Sequence, residues 1–135
     1  MSRSLVTSSV LMGILGTVSG TTGTQGNFQG GRPAVLDSAD MTTLRVHLEA
    51  GARANWHTHS GGQLLLVEKG RLRIQLRGHP MREVLRGEPV YTPPDVAHWH
   101  GAAPDEALTM LTIHAGDVEW HEPLSVADYL ARSVH

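Results

Sequence analysis

From Ala34 onward the apolar residues recur at every second position, a period that selects strands and argues against amphipathic helices over most of the chain. In "TTLRVHLEAG", Leu44, Val46 and Leu48 share one face, while Arg45, His47 and Glu49 take the other. "QLLLVEKG" and "RLRIQLRG" read as two strands meeting in a hairpin at Lys69-Gly70. "EPVYTPP", "HWHGAAP" and "EALTMLTIHAG" supply three further strands. Only "LSVADYLARS" has helical spacing, with Ser125 placed as its N-cap. The 15 glycines and 7 prolines point to many turns. Many short strands at regular spacing predict an all-β sandwich or barrel with a short C-terminal helix.

A chain of 135 residues suits one modest core, expected over residues 32–135. Residues 1–31 read differently. "RSLVTSSVLMGILGTVSG" has the weak outline of a secretory leader, and it is too short and too rich in Ser and Thr to span a membrane. Its alternation also suits an arm that adds a strand to a partner, so both a cytoplasmic and an exported protein stay open. "GTTGTQGNFQGG" then reads as a linker. A formal charge of −2, with no cluster of Lys and Arg, gives no footprint for nucleic acid. With no cysteine, disulfides, thiolate nucleophiles and sulfur-held zinc are all excluded.

The nine histidines are the compositional outlier. Two of them open "HTHSGGQ". In a strand, His57 and His59 point to one face and can share a ligand. A turn at Ser60-Gly61-Gly62 can then bring Gln63 beside them with an amide oxygen. His98, in "PPDVAHWH", is the candidate fourth group, and His100 would share its face. Imidazole suits first-row transition metals, and an amide oxygen is a neutral supplement. His47, His79, His121 and His135 read as ordinary surface or hydrogen-bonded residues.

The spacing also carries a resemblance. Gly51, five residues, His57-Thr58-His59, three residues, Gln63, six residues and Gly70 resembles the first cupin motif, with Gln where most cupins carry Glu. Gly87, five residues, Pro93, one residue, Asp95, two residues and His98 resembles the second, with Asp95 at a usual glycine position. This implies a double-stranded β-helix, the jelly-roll barrel of the cupins, with a metal inside its mouth. "EAGARANWHTHSGGQ", "HWHGAAPDEALTMLTI" and "DVEWHEPLSVADY" are further similar to small bacterial monocupins that include manganese-dependent hydroxynitrile lyases and carboxymuconolactone-decarboxylase-associated cupins. The likeness implies metal ligands His57, His59, Gln63 and His98. It also shows a departure: a histidine near the metal in the lyases is replaced here by Met110, and His114, of the same strand parity, is placed to stand in.

An amide in place of a carboxylate removes a negative charge from the ligand set. The ion keeps its full charge, which favours Lewis-acid chemistry over redox cycling. His100 or His114 would move the proton, since imidazole titrates near neutral pH. Val46, Leu65, Trp99 and Met110 are expected to line the substrate pocket, while Arg53 and Trp56 read as support. Manganese is the favoured ion, with iron, nickel and zinc as alternatives. Four protein ligands leave an octahedral ion two open positions and tetrahedral zinc none. Three function classes follow: a cyanohydrin lyase, an oxygen-using or isomerising enzyme on a small hydroxy-acid, diketone or phenolic compound, and a non-catalytic binding module. The partner is a small molecule, and open sheet edges favour a homodimer or homotetramer.

Overall fold

The computed structural model describes residues 29–30 and 33–134. The chain divides into two units, Met1–Leu36 and Asp37–His135, and every element named below belongs to the second. The leader or arm expected over residues 1–31 lies outside the described residues, apart from 29 and 30. No helix among the described residues is long and apolar enough to cross a membrane.

The strands are β1 (Met41–Leu48), β2 (His57–His59), β3 (Gln63–Lys69), β4 (Leu72–Leu76), β5 (Arg82–Val84), β6 (Pro89–Thr92), β7 (His98–Ala102), β8 (Leu108–Ala115) and β9 (Val118–Trp120). A single turn of helix, α1 (Val126–Tyr129), follows them. Two antiparallel sheets result, ordered β1-β8-β3-β6 and β5-β4-β7-β2-β9. The period-two pattern is realised as burial: Gln63, Leu65 and Val67 of β3, and Leu108, Met110 and Thr112 of β8, are buried at every second position. The inner core joins both sheets, with Leu65, Val67, Val90, Leu108 and Met110 from one and Leu72, Ile74, Val84 and Ala102 from the other. The all-β expectation with a short C-terminal helix therefore holds. Ser125 caps that helix, its hydroxyl accepting from the Asp128 amide at 3.0 Å.

One expectation fails. β3 and β4 do not form a hairpin, because they belong to different sheets. Gly70 takes φ +85° at the corner between them, and a Cβ there would strike the carbonyl oxygen of Ala107. Lys69-Gly70 thus turns the chain from one sheet into the other. β4 instead pairs with β5 and β7, and β3 with β6 and β8.

A second apolar layer covers the outer face of the five-stranded sheet, built from Trp56, Met81, Trp99, Leu124 and Tyr129. β7 is consequently buried along its whole length. Arg73 ties the C-terminal segment down over this layer. Its guanidinium is buried, donates to the carbonyl oxygens of Tyr129 at 2.6 Å and Ala131 at 3.0 Å, and pairs with Glu83 at 3.3 Å. Those carbonyls lie at the end of α1, where no further helix turn can satisfy them. Tyr129 adds a bond from its hydroxyl to the Ala102 carbonyl at 2.7 Å. Arg73→Met should therefore lower the unfolding free energy by about 2–3 kcal/mol, because it strands two carbonyls and removes charge-assisted bonds. Urea titration reads this, and a loss under about 0.5 kcal/mol would contradict the role assigned to Arg73.

Candidate metal centre

Motif one and motif two meet through β2. Antiparallel pairing sets His57 opposite His98, and on the other sheet Gln63 opposite His114. The turn after His59 is closed from both sides, since the His59 carbonyl accepts from the Gly62 amide at 3.1 Å and the Asp95 amide at 3.0 Å. Asp95 sits at φ 59°, the left-handed region that glycine usually fills, and Asp is among the side chains that tolerate it.

Two of the histidines are anchored by the same device. His57 Nδ1 donates to the Asn55 carbonyl at 2.8 Å, and His98 Nδ1 donates to the Val96 carbonyl at 2.9 Å. Each bond fixes the tautomer and leaves Nε2 as a lone pair. His98 Nε2 then lies 3.0 Å from Gln63 Oε1. With the amide in this orientation, two lone-pair donors face each other, an arrangement that a shared cation relieves. His59 Nδ1 and Nε2, His100 Nδ1 and His114 Nδ1 are buried without any hydrogen-bond partner. Such orphaned donors and acceptors are costly unless something binds them.

Burial also favours the neutral form of His57, His59, His98 and His100. Desolvation is the largest cause for each, and it pushes His59 and His98 down to about 4 and lowers His57. His100 is pushed well below the ordinary histidine value, by desolvation first and then by its imidazole neighbours. Neutral imidazole is the form that ligates a metal.

The ligand atoms of His57, His98 and His100 lie within 4.8 Å of one another, so these three histidines are positioned for metal binding. His59 stands beside the trio, its ring 5.2 Å from that of His57, 5.6 Å from His98 and 4.6 Å from His114. The compact trio thus contains His100, expected as a base, where His59 was expected as a ligand. His98 and His100 project from successive same-face positions of one continuous strand, whereas His59 ends a three-residue strand at a turn. The donor set fits a divalent transition metal, with His59 and Gln63 completing the surroundings of the trio.

A cavity of about 310 Å³ opens onto the imidazoles. Val46, Met110, Thr112, His100 and His114 line it, as do Leu44, Val118 and Trp120 at its outer part. Two expected lining residues do not. Trp99 projects to the opposite face of β7, into the outer apolar layer, with its Nε1 donating to Gln75 Oε1 at 3.0 Å. Parity forbids it from sharing the face of His98 and His100. Leu65 shares the face of Gln63 but sits one step deeper, fully buried in the inner core. The Arg53 guanidinium lies 4.1 Å over the Tyr129 ring, and Arg53 also lines the cavity, while Trp56 is buried in the outer layer with Arg77 4.6 Å over its ring. Val118 and Trp120 were not expected at the cavity, although "DVEW" alternates and so puts both on one strand face.

The chain matches the cupin domain family over residues 44–114. It is 38% identical over 106 residues to (R)-mandelonitrile lyase from Granulicella tundricola, covering 76% of this chain and 77% of that one. Among solved structures it is similar to a cupin-like protein from Thermotoga maritima, with 41% identity, a TM-score of 0.64, and coverage of 67% of this chain and 71% of that one. A double-stranded β-helix protein from Klebsiella pneumoniae matches in fold at 18% identity and a TM-score of 0.56, over 67% of this chain and 90% of that one.

Unfolded histidine titrates near pH 6.5, and the buried imidazoles titrate lower, at about 4 for His59 and His98. Between those values the unfolded chain binds more protons, so stability is intact above about pH 6.5 and falls as the pH drops toward 4. The urea midpoint of chelator-treated protein should fall across that window, and a flat midpoint would contradict the buried neutral cluster.

Proposed function

The chain belongs to the cupin family, and on that footing we propose that it is a metal-dependent hydroxynitrile lyase, cleaving a cyanohydrin to an aldehyde and cyanide and catalysing the reverse. One observation carries this reading: buried, neutral imidazoles and Gln63 converge at the floor of an apolar-walled cavity. The 38% identity to a mandelonitrile lyase supports the choice of reaction. His57, His59, Gln63 and His98 would hold the ion, manganese being favoured over iron, nickel or zinc, with His100 in reach as a further donor. When bound, a divalent ion among neutral ligands supplies Lewis acidity toward a hydroxyl or carbonyl oxygen.

The chain's own residues then have separable tasks. Val46 and Met110 wall the cavity and take up the organic part of the substrate. Cleavage needs a proton removed from the hydroxyl as the carbon–carbon bond breaks, and a proton returned to the departing cyanide. We assign that transfer to His114. It lies on β8 four residues beyond Met110, on the same face, half-buried at the cavity, with its Nδ1 unpartnered. His100 lies inside the histidine trio and is better placed to serve the ion than the proton.

Metal-loaded protein should release cyanide from mandelonitrile, and chelation should abolish the release. His114→Ala should lower kcat by about 100-fold or more while metal content stays unchanged, whereas His98→Ala should lose the metal. Bound metal without cyanide release would sink the lyase reading. A second reading, an oxygen-using or isomerising cupin on a small hydroxy-acid, diketone or phenolic compound, is favoured by Met110, which removes an imidazole that resemblance places in the lyases. Substrate-dependent oxygen consumption would decide for the oxygen-using form.

A further inference from the structure

β9 is a three-residue edge strand whose one neighbour in the sheet is β2. Antiparallel register sets Trp120 opposite His57 and Val118 opposite His59, so both apolar side chains share the histidines' face of the sheet. The sheet's inner face is thereby extended outward past the imidazoles. On the other sheet the edge strand β1 presents Leu44 to the same cavity. The mouth therefore lies between two sheet edges, with Leu44, Val118 and Trp120 as apolar walls and the exposed Arg53 as a charged group among the lining residues.

The wall is unevenly covered. Trp120 is 63% exposed, with its indole centred 4.8 Å from the His57 ring and tilted 45° to it. The other two tryptophans, Trp56 and Trp99, are buried in the outer layer. An exposed apolar wall rimming a concave site marks a ligand surface more often than a scattered surface residue does.

We propose that Trp120 is a substrate-positioning residue, an indole wall on which an aryl group of the substrate stacks while its oxygen-bearing end reaches the imidazoles. Val118 and Leu44 set the width of the slot. Flat aromatic rings gain from offset or edge-on contact with indole beyond the area they bury, whereas a saturated ring of equal size gains the area alone. The inference rests on the cavity being a substrate site and is independent of which bond the enzyme cleaves.

Because Trp120 is the exposed tryptophan, acrylamide quenching of intrinsic fluorescence reports on the mouth without any turnover. In the metal-loaded full-length protein, benzyl alcohol should protect against quenching at concentrations about three- to tenfold below those needed for cyclohexylmethanol. Trp120→Ala should lower kcat/KM for mandelonitrile about tenfold relative to acetone cyanohydrin, with metal content and urea midpoint unchanged, and Trp120→Phe should recover most of the difference. Equal protection by the two alcohols, or none, would overturn the proposal. So would quenching that rises on dilution of the protein, since a second copy would then be what covers the ring. Protection by benzyl alcohol in a protein that releases no cyanide would sustain the role of Trp120 while removing the lyase reaction.

Discussion

His57 and His98 face each other across the antiparallel pairing of β2 with β7, each held through Nδ1 to the carbonyl two residues before it. The other polar groups take their places from that pair. His100 follows His98 along β7, His59 follows His57 along β2, and the turn closed on the His59 carbonyl delivers Gln63. His57 and His98 hold their rings by bonds to backbone, so they do not depend on mobile side chains for orientation. His98 Nε2 faces Gln63 Oε1 at 3.0 Å, and around the pair buried ring nitrogens of His59, His100 and His114 have no hydrogen-bond partner.

That arrangement sets a stability cost against a chemical capacity. Several imidazoles are kept out of water and neutral, and some of their nitrogens have no partner. The surrounding fold must tolerate this. It does so with an inner core joining both sheets and an outer apolar layer that covers β7 from behind and is fastened by Arg73 and Tyr129. The outer layer therefore bears on the site indirectly: it holds straight the strand from which His98 and His100 project.

Much of this was legible from residue parity and spacing alone. Alternation marks β1, β3, β4, β6, β7 and β8, and the two motifs select four of the polar side chains that the fold brings together, His57, His59, Gln63 and His98, while His100 and His114 follow from strand parity. Parity says which residues share a face, but it does not say which face is inward when both are buried. The expectation that Trp99 lines the pocket fails on parity itself, which sets it on the face opposite His98 and His100, in the outer apolar layer. Parity does not measure depth, so Leu65 looked like a wall residue when it lies beneath the floor. The corner at Gly70 imitates a hairpin because local turn chemistry is the same whether the chain returns to its own sheet or crosses to the other. β9 is three residues long, and its importance comes from register with β2, a non-local fact that no local pattern encodes.

The measurement that bears most directly on the central claim is the metal content of the purified protein, counted by elemental mass spectrometry before and after reconstitution. The account predicts about one divalent transition-metal ion per chain, removable by chelator and restored by manganese or iron with a rise in the unfolding temperature. A chain that stays metal-free after reconstitution, with its stability unmoved by any of these ions, would contradict the reading of the histidine cluster as a metal centre.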